Sequence, residues 1–169
     1  DPLVSQGWLY AMGRAQEEYD VLLHHGTQQG NHVHCTATPT KDNLPEFLRY
    51  VHRETARFQQ KLLLEHGYDA PSCVWDERPT HLMRCVDAGA ALAWILYCHL
   101  NPVSAGLVER VDDYPGFVAD LGLLRGGVIV VERPPLYFGD DQPAEVALRF
   151  SPVPMLARAF GGDLEGLVH

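Results

Sequence analysis

The sequence predicts an α+β fold with an antiparallel sheet and helices on one face. Three observations predict it. Helical periodicity marks the N-terminal stretch, two neighbouring β-rich runs are joined by a glycine-containing turn, and two more helical stretches follow. Residues 5–18 carry Trp8, Leu9, Met12 and Ala15 at helical spacing. Residues 19–25 (YDVLLHH) read as a strand, and the segment from Gly26 to Gly30 as a turn. Residues 31–38 (NHVHCTAT) alternate in character and read as a second strand, completing a hairpin. A long helix follows, capped by Asp42 or Asn43, with Pro45 and Glu46 in its first turn. Its apolar stripe is Leu44, Phe47, Leu48, Val51, Phe58 and Leu62, and it ends near Gly67. After a loop with Pro71, Trp75 and Pro79, residues 87–100 form another helix, which Pro102 is expected to stop. Two regions follow from this reading. Residues 1–125 form the main domain, and residues 126–169 contribute a short strand (within GGVIVVE) and an irregular acidic tail.

The chain has 169 residues, 46% hydrophobic and 21% charged, enough apolar material for a packed core. No apolar run is long enough to span a bilayer, and no secretory pattern opens the chain. Cys35, Cys73, Cys85 and Cys98 form no C-x-x-C pair, which argues against a zinc knuckle. The net charge of −9 runs against the usual positive field of nucleic-acid binders. A negative total is still compatible with a local positive face.

Three features can carry chemistry. His32 and His34 flank Val33, and positions i and i+2 of a strand share a face, so the two imidazoles make a start on a metal site. His24 and His25 on the partner strand read as surface or packing residues. Tyr97 and Asn101 lie i and i+4 on one helix face. Arg49, Arg53, Arg57 and Lys61 recur every four residues along the long helix; like charges so placed repel, which a polyanion lying across them would relieve. Each feature taken singly also has an ordinary structural reading: a strand accident, a core tyrosine and a solvated helix face.

Together they resemble a family. Asn31-His32-Val33-His34 resembles the HUH motif, two histidines around a hydrophobic residue. The stretch from Tyr97 through Asn101-Pro102-Val103 to Gly106-Leu107-Val108 is similar to the Y-x-x-x-N-P-V-x-x-G-L-V segment of REP-associated tyrosine transposases, single-tyrosine HUH endonucleases. Val74-Trp75 with Arg78 resembles the family's V-W-x-x-R segment, and Tyr114-Pro115 its later D-Y-P. The order and spacing agree across residues 19–117.

The resemblance implies a ferredoxin-like domain whose His32, His34 and Asn101 hold a divalent ion, Mg²⁺ or Mn²⁺, and whose Tyr97 is the nucleophile. It implies cleavage and rejoining of hairpin-bearing single-stranded DNA through a 5′-phosphotyrosine. The DNA would be contacted by Arg49, Arg53, Arg57, Lys61, Trp75 and Arg78. The expected protein is cytoplasmic and nucleoid-associated, a monomer or homodimer, with no membrane partner. His99 lies two positions past Tyr97, about 200° around the helix, and is not counted in the site.

Three departures stand out. The first strand usual in the family is missing, leaving a truncated fragment or a gap filled by a segment such as Val128–Val131. Gln29-Gly30 replaces the usual Met-Pro ahead of Asn31-His32, and Gly116-Phe117 replaces a serine pair. With the acidic total, these changes leave open a decayed or domesticated copy that binds DNA hairpins without cutting them.

Overall fold

A computed structural model describes residues 2–76 and 78–161. The described residues are α+β, with four α-helices and a four-stranded mixed sheet, compatible with a ferredoxin-like fold. The elements run α1 (Pro2–Tyr19), β1 (Val21–Gln28), β2 (Val33–Pro39), α2 (Leu44–Glu65), α3 (Ala88–Ser104), β3 (Gly127–Glu132), β4 (Glu145–Phe150) and α4 (Pro154–Ala159). The sheet order is β2-β1-β4-β3. It is mixed rather than wholly antiparallel, because β4 runs parallel to β1 with Leu23 opposite Phe150. A connection as short as that between β1 and β2 can only join antiparallel neighbours. No described helix is long and apolar enough to cross a membrane.

Two expectations about the C-terminal region are corrected. The strand beside β1 is β4, not Val128–Val131, which lies in β3 at the sheet edge. The tail is also regular over much of its length. Val146, Leu148 and Phe150 alternate inward from β4, and α4 follows, so residues 145–159 are structural rather than loose. The last part of the expected tail, residues 162–169, lies outside the described residues.

The Cα framework divides into two compact units. The first contains Asp1–Val21, Pro39–Leu82 and Ile129–Leu148. Its core includes Trp8, Tyr10, Phe47, Val51, Phe58 and Leu62 from α1 and α2. Gly7 lets α1 approach α2 closely: a Cβ there would run into the buried ring of Phe58. The helix α2 begins and ends where the sequence predicts, with Asn43 at its N-cap, Pro45 in its first turn and Gly67 at φ 77° just past its end. The Asn43 side chain, however, makes no cap bond and donates its Nδ2–H to the Tyr19 carbonyl instead.

The second unit contains Leu22–Thr38, Met83–Val128 and Arg149–His169. Its core gathers Ala91, Ile95, Leu124, Val153 and Leu156 from α3, the 3₁₀ turn at Leu121–Arg125 and α4. Asp87 caps α3 by accepting from the Ala90 amide at 2.7 Å. The helix does not stop before Pro102, as the sequence predicts, but runs through it to Ser104. Proline has no N–H, so the Cys98 carbonyl one turn back loses its helical donor. The buried Thr27 hydroxyl of β1 supplies a replacement, donating to that carbonyl at 2.9 Å. Thr27→Val keeps the shape and leaves the carbonyl bare. It should cost about 1–3 kcal/mol in urea unfolding, whereas Thr27→Ser should cost about half as much or less; equal losses would show that the hydroxyl is irrelevant.

Candidate functional site

All the residues expected at the chemical centre fall within the second unit. His32 immediately precedes β2 and His34 is on it, and their rings lie 4.9 Å apart between centroids. On α3, Tyr97 faces the same place: its ring is 5.7 Å from that of His34, within one chain. Trp94 lies one turn earlier and stacks on Tyr97 at 5.0 Å with an interplanar angle of 22°, while meeting His34 edge-on at 6.0 Å. The Tyr97 ring thus forms a three-ring cluster with Trp94 and His34, yet the residue is 49% exposed, so a large substrate can reach it.

The four histidines of the hairpin differ in burial and hydrogen bonding; His25 Nδ1 and His34 Nε2 are both buried without a hydrogen-bond partner. His24 is buried and satisfied on both sides. Its Nδ1–H donates to the Ser151 carbonyl at 2.7 Å, and its Nε2 accepts from the Thr38 hydroxyl at 2.8 Å. His25 is also buried, with its Nε2 3.4 Å from His99 Nδ1. Burial first, and the His99 and His34 imidazoles next, hold its pKa down at about 4, partly offset by the Ala119 backbone. Both are packing residues, one of the two readings the sequence left open.

His32 and His34 are set apart by their position, with their rings together and that of His34 beside Tyr97. The Asn31 side-chain oxygen accepts from His32 Nδ1 at 2.7 Å, which places the proton on Nδ1 and leaves Nε2 with a lone pair. His34 Nε2 is buried and has no hydrogen-bond partner. Burial, then the neighbouring His32, lowers the His34 pKa and favours the neutral imidazole. A buried imidazole nitrogen with no partner is costly unless something else binds it.

Asn101 is 8% exposed and its side-chain oxygen accepts from Gln29 Nε2 at 2.5 Å. A carbonyl oxygen has two lone pairs, so one acceptor position remains. Among the described residues no cluster of three or more His, Cys, Asp or Glu side chains is arranged to hold a metal ion. The groups of the second unit that could donate to a cation are the His34 Nε2, the His32 imidazole and the Asn101 amide oxygen. Two nitrogens and one oxygen suit a borderline or hard cation with its remaining positions open.

The expected DNA contacts lie in the first unit. Arg49, Arg53, Arg57 and Lys61 are all exposed along α2. Arg53 bonds Glu54 at 2.6 Å and lies over the Tyr50 ring at 5.1 Å. Trp75 is half-buried rather than presented to a base: its indole N–H donates to the His52 carbonyl at 2.9 Å and its ring lies 4.7 Å from that of His52. Arg78 is exposed and chelated by Asp76, whose carboxyl it holds at a pKa of about 2. Two residues of the centre carry no functional role in the sequence reading, Gln29 and Trp94. The i, i+3 spacing of Trp94 and Tyr97 is the signal that would have found the second.

No family model matches the chain, and no curated protein or solved structure matches it.

Proposed function

We propose that this chain is a metal-dependent single-stranded DNA endonuclease and strand transferase acting at hairpin-bearing DNA ends. The observation that carries this reading is the meeting of Tyr97, His34 and His32 within one unit of one chain, with ring centroids 5.7 and 4.9 Å apart. His32, His34 and the Asn101 oxygen would hold Mg²⁺ or Mn²⁺. Such an ion, when bound, stabilises negative charge on a scissile phosphate.

The chain's own residues supply the rest. The Tyr97 phenolic oxygen attacks phosphorus and loses its proton. The bond from phosphorus to the 3′ oxygen breaks, and that oxygen leaves as a free 3′-OH after taking up a proton. The product is a 5′-phosphotyrosine. It conserves the phosphoester, so an incoming 3′-OH can reverse the step and join a new strand. Trp94 stacks on the Tyr97 ring and limits its swing. The exposed cations of α2 offer a track for the phosphodiester backbone. Placement of the tyrosine beside the histidines of its own chain favours a monomer over helix exchange. A cytoplasmic, nucleoid-associated protein follows from the substrate.

The net charge of −9 favours a second reading, a copy that binds DNA hairpins without cleaving them. One experiment separates the two. The protein is incubated with end-labelled hairpin-bearing single strands and Mn²⁺, then resolved under denaturing conditions. The nuclease reading expects a covalent protein–DNA band that EDTA prevents and Tyr97→Phe lacks. Hairpin binding without any such band would leave only the binding reading, and cleavage surviving in Tyr97→Phe would overturn the assigned nucleophile.

A further inference from the structure

Gln29 departs from the motif it stands in, and it joins the two halves of the site. It lies just past the end of β1 and is 7% exposed. Its backbone N–H donates to the His32 carbonyl at 2.8 Å, closing the turn that carries the histidines. Its side-chain Nε2–H donates to Asn101 Oδ1 at 2.5 Å, across 72 positions of sequence. One residue thus holds the histidine hairpin through its main chain and the tyrosine helix through its side chain.

An asparagine amide free to turn can present either oxygen or nitrogen to a neighbour. Only the oxygen can ligate a cation. A buried donor fixed on Oδ1 settles the orientation, because an acceptor at that place would draw the NH₂ group instead. It also removes the cost of freezing the amide when an ion binds.

We infer that Gln29 is a positioning residue for metal binding: it orients the Asn101 amide so that the free lone pair of Oδ1 is available to an ion held by His32 and His34. This rests on the nuclease reading above, specifically on its metal site. Residues that orient metal ligands from behind are worth about 10–100-fold in affinity.

The test is Mn²⁺ affinity, measured by electron paramagnetic resonance of free Mn²⁺ on the full chain, with thermal unfolding as a check of the fold. The variants are Gln29→Met, which keeps length and volume but has no donor, and Gln29→Glu, which offers only acceptors when ionised. Both should bind Mn²⁺ at least tenfold more weakly than the wild type. Asn101→Ala and the Gln29→Met/Asn101→Ala double variant should match each other, since Gln29 acts through Asn101. A folded Gln29→Met with wild-type affinity would overturn the inference while leaving the metal site standing. Should Gln29→Met fail to fold, the Gln29→Glu variant decides on the same criterion; and if both fail to fold, Gln29 is a structural residue and the inference is overturned. Wild-type protein that binds no Mn²⁺ in a His34-dependent way would overturn both this inference and the metal-dependent nuclease reading.

Discussion

His34→Phe is expected to abolish DNA cleavage and at the same time raise the thermal midpoint of the chain. The two effects share a cause. His34 Nε2 is buried without a partner, a defect that costs about 1–3 kcal/mol in a folded protein. A phenyl ring, somewhat larger than the imidazole, removes the unpaired nitrogen and packs against Tyr97 and Trp94, which already contact the imidazole. A net gain of about 1 kcal/mol corresponds to a midpoint higher by about 2–4 °C for a chain of this size. Cleavage should fall by on the order of a thousand-fold or more, because the transition-state stabilisation tied to that nitrogen, several kcal/mol, is lost. His24→Phe is the internal comparison. It strands the Ser151 carbonyl and the Thr38 hydroxyl, so it should lower the midpoint by several degrees. Differential scanning calorimetry and single-turnover cleavage on the same preparations read both quantities. If His34→Phe melts lower than the wild type and still cleaves, the imidazole is a packing residue like His24 and the site has been misassigned.

The contrast between these histidines shows where sequence reasoning stops. The spacing of His32 and His34 predicts a shared face, and the two rings do lie together. The spacing of Tyr97 and Asn101 predicts one side of α3, and both reach the histidine hairpin. Periodicity also places α1, α2 and the hairpin within a few residues, because those elements are set by local amphipathic pattern. Nothing local, by contrast, distinguishes the satisfied His24 from the orphaned His34. That difference lies in Ser151 and Thr38, which the fold brings to one and not to the other. Pro102 read as a helix stop, but the remote Thr27 hydroxyl compensates for the missing N–H. Gln29 was legible only as a departure from a motif, since its partner is 72 residues away. The strand β4 could have been found: Val146, Leu148 and Phe150 alternate over its six residues, a short signal masked by the acidic, proline-containing stretch before it.

Acidification from pH 6.5 to pH 4 is expected to weaken the fold by about 3 kcal/mol through His25 alone. In the unfolded chain a histidine takes up its proton near pH 6.5. In the fold, burial beside His99 and His34 delays uptake to about pH 4. Within that window the unfolded state binds the extra proton, so the equilibrium moves toward unfolding as pH falls. The contribution is fully present above pH 6.5, declines through the window and levels off below pH 4, where the folded state is protonated too. His24 and His99, also depressed by burial, act in the same direction. Carboxylates titrate in the lower part of the window, so the informative quantity is a difference. Urea unfolding of wild type and His25→Phe, measured at several pH values from 7 to 4, should give curves whose separation changes by about 1.4 kcal/mol per pH unit in the middle of the window. Parallel curves would mean that the fold admits a charged imidazole at position 25, and that the layer behind the candidate metal ligands is wetter than the packing of His25 against His99 implies.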